Sequence, residues 1–404
     1  MDRKVIWVLN QTAGKLDSGW GERHYFLSKK WIEEGYKVKI ISGSYNHLFV
    51  NQPKVSSNTF TIEKINDGLD FCWVKVPKYK GGSVFKFWSN LIFALKICFL
   101  TSSKIESPSA IIVSSMPIFS ILSGIYLKRK LKAEKLIFEI RDLWPLTPIH
   151  LSNYSEYNPF VIILKWIEKV GYKNSDFIVS VLPKANTYID NISGEPTKYK
   201  YIPNGLDEEL LGKDYLDNEI VNTIPKNKFV IGYTGTIGMA NAMDCFFETV
   251  IKLKDDERFH FVVVGEGYLK EKYIKDTIGC NNITFIDKIS KSKVQHMLSF
   301  LKICYLSRLD NPLYKYGVSY NKYFDYMIAK KLILESSNNI ASPGSMSKCS
   351  IIVKPESSEA IIKELNLLFD KPLNYFEEIG EKGYNFVKKY HNFDYLSSEY
   401  LKLF

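Results

Sequence analysis

A chain of 404 residues is long enough for two or three domains with ordinary cores, which excludes a peptide hormone or a single small module. With 46% hydrophobic and 24% charged residues it lies close to the globular average, so a disordered or collagen-like chain is excluded as well. The formal charge of +10 sits in the first half: residues 1–200 carry 28 Lys and Arg against 17 Asp and Glu, whereas the remainder sums to −1. Such a basic half attracts nucleic acid, anionic lipid or phosphorylated substrates, unless its lysines only solubilise.

The chain enters the apolar run VIWVLN (5–10) almost at once, leaving no room for a signal peptide, and a cytosolic location is expected. Short β-branched runs then alternate with helix-length amphipathic segments, the pattern of parallel α/β sheets. In the first half the strands read VKIIS (38–42), FCWVKV (71–76), AIIVSS (110–115), KLIFEIR (135–141) and FIVSV (177–181). A second series begins at FVIGYTG (229–235) and continues through residues 259–265, 283–287, 302–307, 332–336 and 350–354. Two doubly wound units in tandem follow, joined by the polar, turn-rich stretch 201–228. After about residue 357 the chain reads as helix to its end and is expected to cross back onto the first domain.

The segment FKFWSNLIFALKICFL (85–100) falls short of the ~20 apolar residues that cross a bilayer. It reads either as a buried core helix or as a helix in the membrane interface, with Lys78, Lys80 and Lys86 meeting anionic headgroups. Six cysteines (Cys72, Cys98, Cys245, Cys280, Cys304, Cys349) lie far apart, with no CxxC pair and no histidine at zinc-ligand spacing, which predicts buried free thiols.

Ligands of α/β folds bind in loops after the strands, and four such loops carry chemistry. The first, NQTAGKLDSGWGERHYF (10–26), holds Gly14, Gly19 and Gly21 beside Trp20, with Arg23 and His24 in the first turn of a helix, where cations oppose the helix dipole and so hint at a ligand. It is no dinucleotide fingerprint. In the second, FEIRDLWPLTP (138–148), Glu139, Arg141 and Asp142 leave a buried strand and need partners or a substrate; the alternative is an Arg–Asp pair that fixes the loop. The third, GYTGTIGMANAMD (232–244), offers backbone amides at Gly232, Gly235 and Gly238 to a phosphate. In the fourth, YKYGVSYNKYFDYMIAKKLIL (314–334), Ser319 or Asn321 is expected to cap a helix whose first turn carries Lys322, a cation for a diphosphate, with Asp325 one turn on for ribose hydroxyls.

The segments GWGERHYFLSKKWIEEGYKVKIIS, FEIRDLWPLTP, SDFIVSVLPKA, YIPNGLD, YTGTIGMANAMD, VVVGEGYLK and GVSYNKYFDYMIAKK span nearly the whole chain. Together they resemble the family 4 glycosyltransferases of the GT-B fold and, within them, the bacterial O-antigen and capsule L-fucosamine (N-acetyl-L-fucosamine) transferase-like group. FEIRDLWPLTP and SYNKYFDYM are specific to that group, whereas PNG with a following Asp is general to the wider family. The resemblance implies an α/β protein of two facing Rossmann-like doubly wound domains. Residues 1–205 would bind the acceptor, 206–384 the nucleotide sugar, and a C-terminal helix at 385–404 would return to the first domain.

It further implies retaining, metal-independent transfer from a UDP-sugar, a co-substrate with no other cofactor, to a saccharide on undecaprenyl diphosphate. The setting would be the cytoplasmic face of the inner membrane, with its anionic surface as a partner and no nucleic acid. Donor residues by likeness are Gly235, Thr236, Gly238, Asn241, Arg308, Gly317, Val318, Ser319, Asn321, Lys322 and Asp325; Gly19, Trp20, Gly21, Arg23 and His24 form an acceptor or phosphate loop; Glu139, Arg141 and Asp142 serve the reaction by positioning the acceptor. The chain departs from the pattern where Asp325 replaces the ribose-binding glutamate, Gly317 replaces its partner eight residues earlier, and Met239 and Asn241 stand in place of a basic Arg/Lys pair. Phosphate binding is therefore expected from Lys322, the amides of 317–319 and Arg308. Rival readings are a UDP-sugar 2-epimerase and a catalytically idle scaffold of the same fold. Donor sugar, linkage, first acceptor sugar and oligomeric state are left open.

Overall fold

The computed structural model describes residues 4–80, 84–103, 105–115, 117–206, 211–212, 214–338 and 341–404. The chain forms two compact units, one of residues 1–204 with 393–404, the other of residues 205–392.

In the first unit β1 (Val5–Leu9), α1 (Arg23–Glu33), β2 (Lys37–Gly43), β3 (Phe60–Lys64), β4 (Leu69–Val74), α2 (Val84–Ile97) and β5 (Ala110–Ser114) are followed by α3 (Ser120–Leu131) and β6 (Lys135–Ile140). Then come α4 (Leu146–Ser152), α5 (Pro159–Asn174), β7 (Phe177–Ser180), α6 (Asn186–Ser193) and β8 (Tyr199–Tyr201). The sheet order is β3-β4-β2-β1-β5-β6-β7-β8, parallel except for the antiparallel β3–β4 pair. Strands β1 and β5, VIWVL and AIIVS, are buried at every residue, as strands covered on both faces must be.

The second unit runs α7 (Asn218–Val221), β9 (Phe229–Thr234), α8 (Asp244–Lys252), β10 (Phe259–Val264), α9 (Lys270–Asp276), β11 (Ile283–Ile286), α10 (Val294–Ser299) and β12 (Ile303–Ser307). It continues through α11 (Asn321–Ile328), β13 (Leu332–Ser336), α12 (Pro343–Ser347), β14 (Ser350–Val353), α13 (Ser358–Phe369) and α14 (Leu373–Tyr390). Its all-parallel sheet has the order β11-β10-β9-β12-β13-β14. One face packs Phe246, Phe261 and Tyr305, the other Met297, Tyr323, Phe324 and Met327.

Two elements depart from the sequence reading. Strand β3, FTIEK, is a half-exposed edge and lacks the apolar run that marks its neighbours, and β8 has three residues, YKY. The expected single helix at 385–404 is also two pieces: α14 continues to Tyr390, and α15 (Phe393–Leu401) begins after a break at His391 and Asn392. The chain re-enters the first unit there, at Phe393.

In each sheet the winding reverses at one place, where consecutive crossovers leave in opposite directions and loops splay apart. The reversals fall between β1 and β5 in the first unit and between β9 and β12 in the second. The carboxyl ends of β1, β9 and β12 lead into the first, third and fourth of the loops, whereas the second, at 138–148, follows β6, the neighbour of β5.

Candidate functional site

In the second unit β9 ends at Thr234, and Gly235 follows with φ +144, a conformation that L residues rarely adopt. A Cβ on Gly235 would fall 2.4 Å from Cε of Lys322, so the lysine lies directly across this turn. Lys322 is in the first turn of α11, whose N-cap is Tyr320 and not Ser319 or Asn321; Tyr320 makes no side-chain cap bond. Its Nζ donates to Tyr233 Oη at 2.7 Å and to Asn241 Oδ1 at 2.6 Å, and stands 4.5 Å from the Tyr233 ring centroid. These partners are neutral, and burial lowers the Lys322 ammonium to about 7. A half-buried cation at a helix amino end, with no carboxylate partner among the described residues, is a place prepared for an anion.

The surrounding loop is tightly tied. Thr236 O accepts from Tyr233 Oη at 2.6 Å and from Asn241 Nδ2 at 2.9 Å, and Ser307 Oγ donates to Asn241 O at 2.6 Å. Gly238, extended, leads into the single turn 239–241, where the Met239 amide donates to Tyr268 Oη at 3.0 Å. Gly317 has φ +101 and Val318 is buried, with its amide 3.4 Å from Ala341 O.

Two expected donor-site residues have protein partners that sequence spacing does not reveal. Asp325, 8% exposed, pairs through Oδ1 with Lys291; burial raises its carboxyl and Lys291 offsets this in part. Arg308, 2% exposed, pairs through Nη2 with Glu335, and the same nitrogen reaches Tyr323 Oη at 2.8 Å and Ser337 Oγ at 3.2 Å. Its buried Nη1 has no hydrogen-bond partner among the described residues. Arg308 also lines a recess of about 340 Å³ with Asp310, Asn311, Tyr314 and Lys315.

In the first unit Glu139, Arg23 and His24 come together, wholly or almost wholly buried. Arg23 Nε donates to Glu139 Oε1 at 2.9 Å, and its terminal nitrogens donate to the carbonyls of Pro203 and Ile202. His24 Nε2 lies 2.9 Å from Glu139 Oε2, and Tyr400 Oη donates to Oε1 at 2.6 Å. Burial pushes the Glu139 carboxyl up, but His24, Arg23 and Arg141 outweigh it and hold the group well below the carboxylate range. Burial keeps His24 below its ordinary value. The Arg23 guanidinium and the His24 ring are thus both directed at Glu139. Tyr400, 261 residues distant, carries no sequence signal for this role.

Arg141 is half-buried and Asp142 is exposed. In the preceding loop Trp20 is 48% exposed, flanked by Gly19 and Gly21 at φ +66 and +82; a Cβ on Gly21 would strike Thr12 O at 2.2 Å. Beside these loops lies a largely apolar recess of about 500 Å³, lined by Phe87, Ile118, Phe119, Trp144, Phe160 and Leu164, with Lys86, Thr12 and Ser115 among its polar residues. The six cysteines are free, four buried and Cys98 and Cys280 partly so. Among the described residues, no group of three His, Cys, Asp or Glu is placed to hold a metal, and no helix is long and apolar enough to cross a membrane.

No family model and no curated protein matches the sequence. Solved structures do match. A sucrose-phosphate synthase from Thermosynechococcus elongatus aligns with a TM-score of 0.73 at 13% identity, over 99% of this chain and 98% of that one. Anabaena HepE, in complex with UDP and glucose, gives 0.64 at 11% identity, over 99% of both chains. A glycosyltransferase from Rickettsia africae gives 0.66 at 14% identity, over 100% of this chain and 98% of that one. With two Rossmann-like parallel-sheet units and likenesses over essentially full length, the fold of this chain is GT-B.

Proposed function

We propose that this chain is a glycosyltransferase that takes a sugar from a UDP-linked donor. The observation that carries the reading is Lys322, an ammonium with neutral partners that lies across Gly235 at the amino end of α11, at the winding reversal of the second sheet. The donor's diphosphate is the anion that suits this ammonium. HepE, of the same fold, was crystallised with UDP and glucose.

Around that diphosphate each residue has a part. The amides at the start of α11 and those of Thr236 and Gly238 donate to phosphate oxygens, whereas the expected amides of Gly317, Val318 and Gly235 are already given to the carbonyls of Tyr314, Ala341 and Val264; Asn241 orients Lys322. Asp325 keeps Oδ2 for a ribose hydroxyl, since Lys291 engages Oδ1. Arg308, its charge balanced by Glu335, lines the recess with Asn311, Tyr314 and Lys315 on the donor side. In transfer with retention, the bond from the anomeric carbon to the β-phosphate oxygen breaks while the acceptor oxygen bonds to that carbon on the same side. The acceptor's proton passes to the departing phosphate oxygen, so neither a protein base nor a metal is required. Lys322 stabilises the charge that collects on the leaving diphosphate, in surroundings where a cation acts more strongly than in water.

The first unit holds the acceptor. Asp142 and Arg141 position its hydroxyl; the Glu139–Arg23–His24 cluster is the rigid base beneath the 10–22 loop. The apolar recess beside Trp144 and Lys86 suits a saccharide carried on a polyprenyl diphosphate, with the chain on the aromatic residues and a phosphate at Lys86. N-acetyl-L-fucosamine as the donor sugar, O-antigen or capsule synthesis as the pathway, and work at the cytoplasmic face of the inner membrane follow from the sequence resemblance. The test is incubation with bacterial membranes and a panel of labelled UDP-sugars. Label should enter the lipid fraction, with UDP released only when acceptor is present. Conversion of a UDP-sugar without acceptor would replace transfer by epimerisation, and a chain that neither binds nor releases UDP would contradict the reading.

A further inference from the structure

Helix α2 has two apolar faces where packing on a sheet needs one. Phe93, Ala94 and Ile97 are buried. On the other face Phe85, Trp88, Ile92 and Leu95, with Phe99 in the turn just past the helix end, recur at alternating steps of three and four residues; all but the half-buried Ile92 are exposed, from 51% at Trp88 to 70% at Phe99. Helix α5 repeats the arrangement: Val161, Leu164 and Ile167 are buried, whereas Ile162, Ile163 and Trp166 are each more than half exposed. Phe87 joins the helices, its ring 5.5 Å from Phe160 of α5 and 5.4 Å from Phe119 at the start of α3. Apolar surface of this extent on neighbouring helices does nothing for folding and marks an interface.

The charge on the same helices has one sign. Across α2, α3 and α5 the sequence holds a single acid, Glu168, buried and bonded to Tyr172 Oη at 2.7 Å and Tyr188 Oη at 2.8 Å. The basic residues include Lys96, Arg129, Lys130, Lys169 and Lys173. Glu156 and Asp176, which flank α5, are each tied to a lysine, Lys165 at 3.0 Å and Lys128 at 2.5 Å. A second copy of the chain would bring the same positive charge and be repelled. A nucleic acid would meet the lysines but leave the aliphatic side chains in water. An anionic bilayer surface satisfies both, taking aromatic and aliphatic groups at the headgroup boundary and phosphates at the lysines.

We infer that α2, α3 and α5 together form a footprint that rests on an anionic lipid surface. The inference rests on the proposed function only in that a lipid-carried acceptor has to be met at a membrane. The full-length protein is floated with vesicles of phosphatidylcholine alone or mixed with phosphatidylglycerol, at low and high salt. Partition to the anionic vesicles should be at least about tenfold stronger and fall with salt. The double variant Trp88→Ser, Trp166→Ser should lose a further tenfold or so, together with tryptophan quenching by brominated lipid. Should that variant fail to fold by circular dichroism, Arg129→Glu with Lys173→Glu tests the charge and should weaken anionic binding alone. Equal partition to both vesicles, an unaffected variant, or concentration-dependent dimerisation abolished by the tryptophan changes would overturn the footprint, the last in favour of a second copy. UDP titration of the same proteins separates the two claims. Footprint variants should bind UDP normally, and failure of the wild type to bind UDP would remove the transferase reading while leaving the vesicle result standing.

Discussion

Lys322 places a cation where no carboxylate among the described residues answers it, and the consequence is measurable in two ways. Its folded value of about 7 lies below the unfolded value near 10.5, so between these pH values the unfolded chain binds more protons and stability rises with pH. Lys322→Met should therefore stabilise the ligand-free protein at pH 6–7, by on the order of 2 kcal/mol, with the gain shrinking toward pH 10 in thermal unfolding. UDP binding should show the opposite dependence. An ammonium must be present to meet the diphosphate, so affinity should fall by up to about tenfold per pH unit between pH 7.5 and 9 in calorimetric titrations, and Lys322→Met should be weak and flat. At Glu139 the chemistry is structural. Glu139→Gln leaves the Arg23 guanidinium buried and unpaired and should cost about 3–5 kcal/mol in denaturant unfolding, against about 1 kcal/mol for Tyr400→Phe. Because the folded Glu139 value is depressed, its contribution is complete above the unfolded carboxylate range and is lost only as pH falls through the folded value.

At the level of elements, the legible parts were those with strong periodicity or punctuation. Buried parallel strands such as VIWVL and AIIVS announce themselves because every position is apolar, and the helix carrying Lys322 follows a glycine-containing loop after a strand. The edge strand β3 and the three-residue β8 offered no comparable pattern. In the candidate site, Lys322 and Gly235 were readable as types of residue at a loop. The pairing of Asp325 with Lys291, of Arg308 with Glu335, and of Arg23 and His24 with Glu139 was not, because partners 27 to 116 residues apart meet only through the winding of the sheets. Helix α15 shows how far such dependence extends. It delivers Tyr400 to Glu139 and packs Phe393 on Phe26 at 5.1 Å and Tyr400 on Trp31 at 5.4 Å. A chain ending at Asn392 should lose cooperative unfolding of the first unit and become sensitive to limited proteolysis there; resistance equal to the full chain would show α15 to be dispensable.

Across the whole molecule, the net charge belongs to one unit. Residues 201–204 add none and the tail 393–404 adds Lys402 against Asp394 and Glu399, so the first unit carries +10 and the second none. Transfer to membrane-held acceptor should accordingly decline steeply between low and moderate salt while UDP affinity changes far less, because short-range contacts in the second unit are screened less than a broad surface field. Equal salt dependence of the two would remove that division of labour. The most direct test of the account is a crystal structure of the protein with UDP. The diphosphate should lie against Nζ of Lys322 and the first amides of α11, over Gly235, with the ribose toward Asp325. UDP bound elsewhere, or the turn at Gly235 closed over Lys322 with no phosphate admitted, would contradict it.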